Sequence, residues 1–453
     1  MNLVYIHTHD TGRMISPYGY DVPTPHIMEF AHDATTFTNS FCAGPTCSPS
    51  RAALLTGTYP HQNGMLGLSQ RGFSLNDYDQ HLCHFLKKNG FVTCISGIQH
   101  ESGWYLDKEG SEKLGYDHIL TQDAHQYQRP DLYLWDQSNA KKAAEWISDY
   151  HEDKPFMLSF GMHSTHRPYP NQVDSDLDEK YVKPISMQIN NEINRHDKAL
   201  LMTSLKTVDK CVHTVISALK EKGIYQDTII MLTTDHGLAM PFHKCFLRDD
   251  GIEIMLLMRV PGTQHGNLSE GLVSNVDVFP TLCDLLHIAK PDYLAGESFA
   301  QVFEGKASNR KMIFSEVNFH TSYEPIRCVR TERFKYIRYF DPDYLKLNIS
   351  NMDDCKPKEF LIKNDLRKQT KDREALYDLY YDPSEKANLI DDPAQKMIVT
   401  ELRQALSDFM IKTNDPLING PIPIKAEYKV NKKTCVKASS KDPDDYVEEG
   451  SYY

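Results

Sequence analysis

Hydrophobic positions in the first two thirds of the chain alternate between short β-rich runs and longer helical stretches. This alternation is typical of a mostly parallel sheet covered by helices on both faces. The runs predicted as strands are residues 3–8, 91–96, 156–160, 229–233 and 254–258. Helices are predicted over residues 80–88, ended by Asn89 and Gly90, and over residues 199–222, ended by Gly223. The pattern therefore predicts an α/β fold.

The pattern changes after about residue 305. Residues 312–317, 328–331 and 334–340 predict short antiparallel strands, and residues 394–411 predict an amphipathic helix opened by Pro393. We therefore predict an α/β domain over residues 1–305, built on a large, mostly parallel mixed sheet flanked by helices. A smaller α+β subdomain over residues 306–453 would contain a short antiparallel sheet and end in an acidic, polar and loosely held tail at 441–453.

The composition and net charge restrict the kinds of partner that the protein is expected to bind. The chain has 453 residues, of which 40% are hydrophobic and 25% charged, as in ordinary globular proteins. Its net charge of −12 counts against non-specific nucleic-acid binding, which needs basic surface to neutralise phosphates. No apolar run approaches the ~20 residues that span a bilayer, and the N-terminus lacks the pattern of a signal peptide. We expect a cytoplasmic protein with no nucleic-acid and no membrane partner.

Reactive side chains follow the ends of four of the predicted strands. They are His9 and Asp10, His100, His163 and His166, and Asp235 and His236. In open α/β sheets, ligands bind outside the carboxyl ends of the strands. Four such groups in one sheet indicate a shared active site.

The stretch at residues 41–57 is the most informative. Ser48 is predicted as a helix N-cap, Pro49 as the first helical residue and Gly57 as the residue that closes the helix. Cys47 would then lie just before a helix N-terminus, where amide donors favour negative charge. Arg51 is near enough for one site to hold an anion and the group formed at Cys47. The alternative is a buried cysteine ahead of an ordinary helix, with Arg51 on the surface.

The sequence Cys47-Ser48-Pro49-Ser50-Arg51, continued by Ala-Leu-Leu-Thr-Gly at 53–57, resembles the signature of the type I sulfatases. These belong to the alkaline-phosphatase-like superfamily, and their cysteine is oxidised to formylglycine, whose hydrate supplies the nucleophilic oxygen. Residues 60–65, Pro-His-Gln-Asn-Gly-Met, and the stretch 209–237 are similar to the N-sulfoglucosamine sulfohydrolase (sulfamidase) branch. The resemblance runs with gaps over residues 1–300 and extends more weakly to residues 375–383.

The resemblance implies roles for individual residues. Oxidised Cys47 would be the nucleophile, Arg51 would hold it and the anion, and Lys244 would contact the sulfate. His100 would act on the formylglycine hydroxyl, and His166 would assist the leaving group. The implied metal ligands are His9, Asp10, oxidised Cys47, Asp235 and His236. The resemblance also implies one divalent ion, with calcium as the first choice. It further implies a sulfated sugar as substrate and a formylglycine-generating maturase as partner.

Two positions depart from the family pattern. His9 stands where the family usually has Asp, and the added imidazole opens the site to manganese, magnesium or a transition metal. Alternatively, His9 only positions Asp10 or the nucleophile. Ile98 stands where the family usually has a Lys, so the sulfate pocket would lack one cation or recruit another.

We therefore interpret the chain as a hydrolase of sulfate esters or sulfamates, on a carbohydrate of glycosaminoglycan or mucin type. One alternative is a phosphodiester or phosphonate monoester hydrolase, because relatives in the superfamily share the nucleophile motif. The other is an inactive protein that binds sulfated glycans, which the altered metal position would allow. Parallel assays with sulfate and phosphate esters of one leaving group separate these alternatives.

Overall fold

The fold is organised around a large sheet and a smaller one. The computed structural model describes residues 1–104, 106 and 108–447, so residues 448–453 of the predicted tail lie outside the described part. The strands are β1 (Asn2–Thr8), β2 (Thr35–Phe37), β3 (Ser40–Phe41), β4 (Val92–Gly97), β5 (His118–Ile119), β6 (Phe156–Gly161), β7 (Thr228–Thr234), β8 (Leu256–Arg259), β9 (Asn267–Ser269), β10 (Val273–Ser274), β11 (Met312–Phe319), β12 (Tyr323–Thr331), β13 (Phe334–Tyr339) and β14 (Glu374–Asp378). The helices are α1 (Pro25–Ala31), α2 (Cys47–Thr56), α3 (Pro60–Asn63), α4 (Leu82–Lys88), α5 (Glu109–Lys113), α6 (Leu132–Asp149), α7 (Glu192–Glu221), α8 (Asp249–Ile252), α9 (Val278–Leu285), α10 (Lys356–Lys363) and α11 (Lys396–Lys412).

The large sheet has eight strands in the order β5-β4-β6-β1-β7-β8-β2-β9. The five strands from β5 to β7 are parallel, whereas β8 runs antiparallel to both of its neighbours. The predicted α/β fold with a mostly parallel mixed sheet is thereby confirmed. Because the central strands are parallel, their carboxyl ends open onto one edge of the sheet.

Both faces of the sheet are covered, and β1 shows why. Val4 and Ile6 pack on one side with α1, α6 and α7, while Leu3 and Tyr5 pack on the other with α2, α4 and α9. Helix α6 was not predicted, because its buried face mixes alanines with polar Asp136 and lacks a clear apolar period. No helix in the described part of the chain has the length and apolar character needed to cross a bilayer.

The start of α2 differs from the prediction. Thr46, not Ser48, is the N-cap, with extended backbone angles, and Cys47 is the first helical residue. Ser48 does not cap because its hydroxyl accepts a hydrogen bond from the backbone N–H of Ser69 at 3.1 Å. Gly57 ends the helix in the left-handed region, as predicted. Cys47 therefore belongs to the first turn of the helix rather than preceding it.

Helix α7 begins seven residues earlier than predicted, since Asn191 caps it by accepting from the backbone N–H of Asn194 at 2.9 Å. The first two turns of α7 carry mostly polar residues, so the hydrophobic pattern did not predict them as helical.

The second sheet is antiparallel, in the order β11-β12-β13-β14, and includes a strand, β14, that was not predicted as such. The edge strand β11 contacts the segment that leads into α2. Glu316 donates its backbone N–H to Ala43 O at 2.8 Å, and Ser315 donates its hydroxyl to Cys42 O at 2.6 Å. The domain boundary near residue 305 stays a prediction, but the two sheets are joined directly beside Cys47.

Gly57 offers a test of how tightly α2 is held. A Cβ on Gly57 would lie 2.5 Å from Leu294 Cδ2, and its φ of +65° already disfavours L side chains. Gly223 has a similar φ of +77° with nothing within 4 Å. We expect Gly223→Ala to cost about 1 kcal/mol and Gly57→Ala about 1–3 kcal/mol more. Thermal unfolding of both variants measures this difference, and equal melting temperatures would show that the α2 terminus can relax.

Candidate active site

The site lies at the carboxyl ends of β1 and β7, which are adjacent in the sheet. In the parallel pair β1–β7, Thr8 lies opposite Thr234, so the residues that follow the two strands leave the sheet side by side. Asp10 adopts a left-handed φ of 53°, and its backbone N–H donates to Asp235 Oδ1 at 2.9 Å. The two loops are further joined by a hydrogen bond from Gly12 N–H to His236 O at 2.9 Å.

Five side chains converge at this point, with their potential ligand atoms all within 4.8 Å of one another, and each is buried. They are His9, Asp10, Cys47, Asp235 and His236. His9 Nδ1 lies 3.0 Å from Asp10 Oδ1 and 3.1 Å from Asp235 Oδ2. Cys47 Sγ lies 4.0 Å from Asp10 Oδ1. The structure thus brings together the whole set that the sequence predicted as metal ligands, although their role as ligands stays a prediction.

The tautomer of His236 shows that this cluster fits a cation. Its Nδ1 donates to Gly237 O at 2.9 Å, so a neutral ring carries its lone pair on Nε2. That Nε2 has no hydrogen-bond partner among the described residues, yet lies 3.2 Å from Asp10 Oδ1 and 3.8 Å from Asp235 Oδ2. Lone pairs facing carboxylate oxygens repel, and a divalent ion between them turns the contact into coordination. The residues therefore fit a metal ion.

Arg51 is fully buried beside the cluster. It donates from Nε and Nη2 to Asp235 Oδ2 at 3.2 and 3.1 Å, and from Nη2 to Thr8 O at 2.8 Å. Its Nη1 contacts His7 Nδ1 at 2.5 Å, and His7 in turn contacts Ser159. Of the five N–H groups of the guanidinium, these bonds leave one on Nη1 for a ligand. The alternative that Arg51 lies on the surface is wrong.

Lys244 brings a second buried cation from the loop after β7. Its Nζ donates to Asp10 Oδ2 and to Asp353 Oδ2, each at 3.1 Å. An ammonium group has three N–H donors, so one remains for an anion at the site.

Two histidines approach from the ends of β4 and β6. His100 donates from Nε2 to Gln70 Oε1 at 2.7 Å. His166 donates from Nδ1 to Arg167 O at 2.5 Å, which turns its Nε2 toward Asp10, 3.8 Å from Oδ2. The His166 ring lies 4.5 Å from that of His9, between centroids. Both histidines thus reach the cluster from neighbouring strands.

Electrostatics set the protonation states of the acids and the thiol. Burial alone would raise the pKa of Asp10, but Lys244, His166 and His236 hold it well below its usual value. The pKa of Asp235 is likewise low despite burial, because of His236, His9 and Arg51. Burial raises the pKa of the Cys47 thiol well above its usual value, against the effect of Lys244. Without a bound metal ion, unmodified Cys47 is therefore a neutral thiol and a poor nucleophile.

The structure also shows where Ile98 and the loop residue Arg13 lie. Ile98 is buried among Ala124, Leu132 and Trp135, so no cation stands there. Arg13 pairs with Glu253 at 3.0 Å and is not part of the cluster.

Sequence reasoning missed three residues of the surroundings: Asp136, Gln70 and Asp353. Buried Asp136 accepts from the backbone N–H groups of His163 and Ser164 at 2.9 and 2.7 Å and so fixes the turn that carries His166. Gln70 orients His100, and Asp353 pairs with Lys244. Only Asp136 gave a signal, as an acid within an apolar stretch around Trp135. Gln70 lies in a short 3-10 turn (Ser69–Arg71) and Asp353 in a loop, and neither segment has a pattern that points to the site.

Comparisons with known proteins bear on the family and the fold. A family model described as Sulfatase matches residues 1–288, and one described as N-sulphoglucosamine sulphohydrolase, C-terminal, matches residues 235–371. The chain is 26% identical to N-sulphoglucosamine sulphohydrolase of Homo sapiens, over 88% of each chain. It is 25% identical to an ulvan-active sulfatase of Formosa agariphila, over 91% of this chain and 75% of that one. The solved structure of a 2-O GAG sulfatase has the same fold, with a TM-score of 0.71, 23% identity, and coverage of 92% and 93%.

His9 is the position to test in the metal cluster. We expect His9→Ala to weaken binding of every divalent ion by about tenfold or more, since it removes a group in contact with both carboxylates. His9→Asp should shift preference toward calcium by adding a third carboxylate. Titration calorimetry with calcium, magnesium and manganese measures both effects. If His9→Asn, which can still donate to Asp10, binds each ion as the parent does, His9 positions the acids and is not a ligand.

Proposed function

The chain belongs to the sulfatase family, and we propose that it hydrolyses a sulfate ester or sulfamate on a sulfated carbohydrate, through formylglycine made from Cys47. The observation that carries this proposal is the position of Cys47. Its side chain lies in the first turn of α2, 4.0 Å from Asp10, inside a buried cluster flanked by Arg51 and Lys244. The two carboxylates are matched by two cations, so a divalent ion would leave the site net positive for an anionic substrate.

The proposed metal ligands are His9, Asp10, oxidised Cys47, Asp235 and His236. The family resemblance favours calcium, whereas two imidazoles beside two carboxylates also suit manganese or another transition metal. When bound, the ion would polarise the sulfate oxygens and stabilise negative charge that develops on them.

The oxidised form of Cys47 would provide an oxygen nucleophile in place of a neutral thiol. This assignment requires a formylglycine-generating maturase as partner of the nascent chain. Because Cys47 lies at the start of α2, the backbone N–H groups of the helix N-terminus are near the anion that would form on its side chain.

The surrounding residues have separate proposed roles. Lys244 and the free N–H of Arg51 contact the non-bridging sulfate oxygens, where charge grows in the transition state. His100, oriented by Gln70, accepts or returns the proton of the nucleophilic hydroxyl. His166, with Nδ1 held by the carbonyl of Arg167, presents Nε2 to the leaving oxygen or nitrogen and donates a proton to it.

The activity is tested with protein co-expressed with a maturase and supplied with calcium. Release of sulfate is measured from N-sulfoglucosamine, from 6-O-sulfated glucosamine and from 4-nitrophenyl sulfate, with 4-nitrophenyl phosphate in parallel. Sulfate release with little phosphate release supports the proposal. Preferential hydrolysis of the phosphate ester, or binding of the sugars without any turnover, contradicts it.

We predict that the mature protein carries formylglycine at Cys47, and that Cys47→Ala abolishes turnover because no oxygen nucleophile can form. Peptide mass spectrometry and sulfate release measure these outcomes. The matched control is Cys42→Ala, which removes another buried cysteine of the same segment and should retain activity. An unmodified thiol in fully active enzyme would rule out the assignment.

The two cations give a further prediction. Arg51→Ala and Lys244→Ala should each lower kcat/KM by about a hundredfold or more, because each removes a donor to transition-state charge. Lys206→Ala is the control, since this lysine pairs with Asp174 at 2.7 Å and lies outside the cluster. Losses of only a few fold in kcat/KM for the two site variants would show that neither side chain contacts the sulfate.

A further inference from the structure

Asp353 comes to the site from the C-terminal part of the chain, between a short 3-10 turn (Ile349–Asn351) and α10. Its Oδ2 accepts from Lys244 Nζ at 3.1 Å, and its side chain is 15% exposed, whereas Lys244 is 2% exposed. Asp353 therefore lies on the outer side of Lys244, between the buried cluster and solvent.

Its second carboxylate oxygen is available. Lys244 is the one hydrogen-bond partner of the Asp353 side chain within the described residues 1–104, 106 and 108–447. An ionised carboxylate accepts up to about four hydrogen bonds, so most of its capacity is unused. A negative group beside an anion-binding site opposes binding through charge repulsion, unless it accepts a hydrogen bond from the same ligand.

The pair with Lys244 is not needed to hold the loop. Before Asp353, Asn351 accepts from the backbone N–H groups of Thr321 and Ser322 at 3.1 and 2.9 Å. After it, Asp354 accepts from Lys358 Nζ at 2.9 Å and from the backbone N–H of Ser439 at 3.1 Å. The loop is anchored on both sides, so the acid at position 353 is free to serve the ligand.

A second polar group from the same part of the chain lies close by. His320, directly after β11, is buried, and its Nδ1 has no hydrogen-bond partner among the residues that the structure describes. The neighbouring Thr321 donates its backbone N–H to Asn351 Oδ1 at 3.1 Å, which brings His320 next to the loop of Asp353. Burial and Lys244 lower the pKa of His320, while Asp353 opposes this, so the ring is neutral. A neutral imidazole and a carboxylate together suit a ligand rich in hydroxyl groups.

We infer that Asp353 determines specificity at the sulfate site: one oxygen holds Lys244, and the other accepts a hydrogen bond from a hydroxyl or N–H of the sugar next to the scissile sulfate. The inference rests on the proposed function. The site then favours sugars with a neutral donor at that position and disfavours sugars with a second sulfate or a carboxylate there.

Binding to the Cys47→Ala protein tests this without requiring turnover. The probes are N-sulfoglucosamine and the same sugar with a second sulfate at O3, titrated by calorimetry in calcium buffer. We expect the monosulfated sugar to bind about tenfold or more tightly than the disulfated one, as for loss of a hydrogen bond to a charged group. Adding Asp353→Asn should bring the ratio of the two sugar affinities near one, mainly by strengthening the binding of the disulfated sugar.

Asp354→Asn is the matched control and should keep the parental ratio, because Asp354 faces Lys358 and Ser439. Asp353→Ser, which also removes the charge and keeps an acceptor, replaces the Asn variant if that variant fails to fold. If the ratio of the two sugar affinities is unchanged in both Asp353 variants, the inference is overturned. Equal weakening of the binding of both sugars also overturns it, because Asp353 would then act only through Lys244. Failure of the monosulfated sugar to bind the Cys47→Ala parent overturns it as well. Sulfate release by protein with intact Cys47 reports separately on the proposed function.

Discussion

Two buried carboxylates held close together, Asp10 and Asp235, are the constraint on which the rest of the site depends. Pairing of β1 with β7 fixes their approach, since each acid follows the end of one of these strands. Like charges inside a protein repel strongly and need compensating cations. Arg51 reaches Asp235, Lys244 reaches Asp10, and the lone pair of His236 faces both acids where a metal ion would fit. Arg51 and Lys244 thus compensate the negative charge of these two groups, and a metal ion would compensate it further.

The same arrangement explains how a chain with net charge −12 can take an anionic substrate. The overall field opposes approach, so attraction must be local. Arg51 and Lys244 each keep one N–H beyond the bonds that compensate the acids, and the first turn of α2 adds backbone N–H groups beside Cys47. Burial strengthens these donors, because little water competes with them. A group formed at Cys47 would therefore meet a small positive pocket within an acidic protein.

The sequence could predict the parts of the site that depend on strand order and on one long motif. Strand ends of a parallel sheet must share an edge, so His9, Asp10, Asp235 and His236 could be placed together before any coordinates. The pairing of Asp353 with Lys244 and of Gln70 with His100 could not be predicted, because each joins loops or short turns whose approach is set by tertiary packing. The start of α2 was predicted two positions too late, because the hydroxyl of Ser48 accepts from the Ser69 backbone N–H instead of capping the helix.

The C-terminal part of the chain is thereby a component of the active site and not an appendage. Strand β11 holds the segment before Cys47 through Ala43, and Asp353 holds Lys244 from outside. The demands on the two parts differ. Around Asp10 and Asp235, the need to compensate two negative charges restricts which side chains can be present. The loop at Asp353 is instead anchored by its neighbours and need only offer an acceptor to Lys244. Substitutions in that loop can therefore leave the cluster around Asp10, Asp235 and Cys47 in place, as the proposed role of Asp353 in sugar specificity requires.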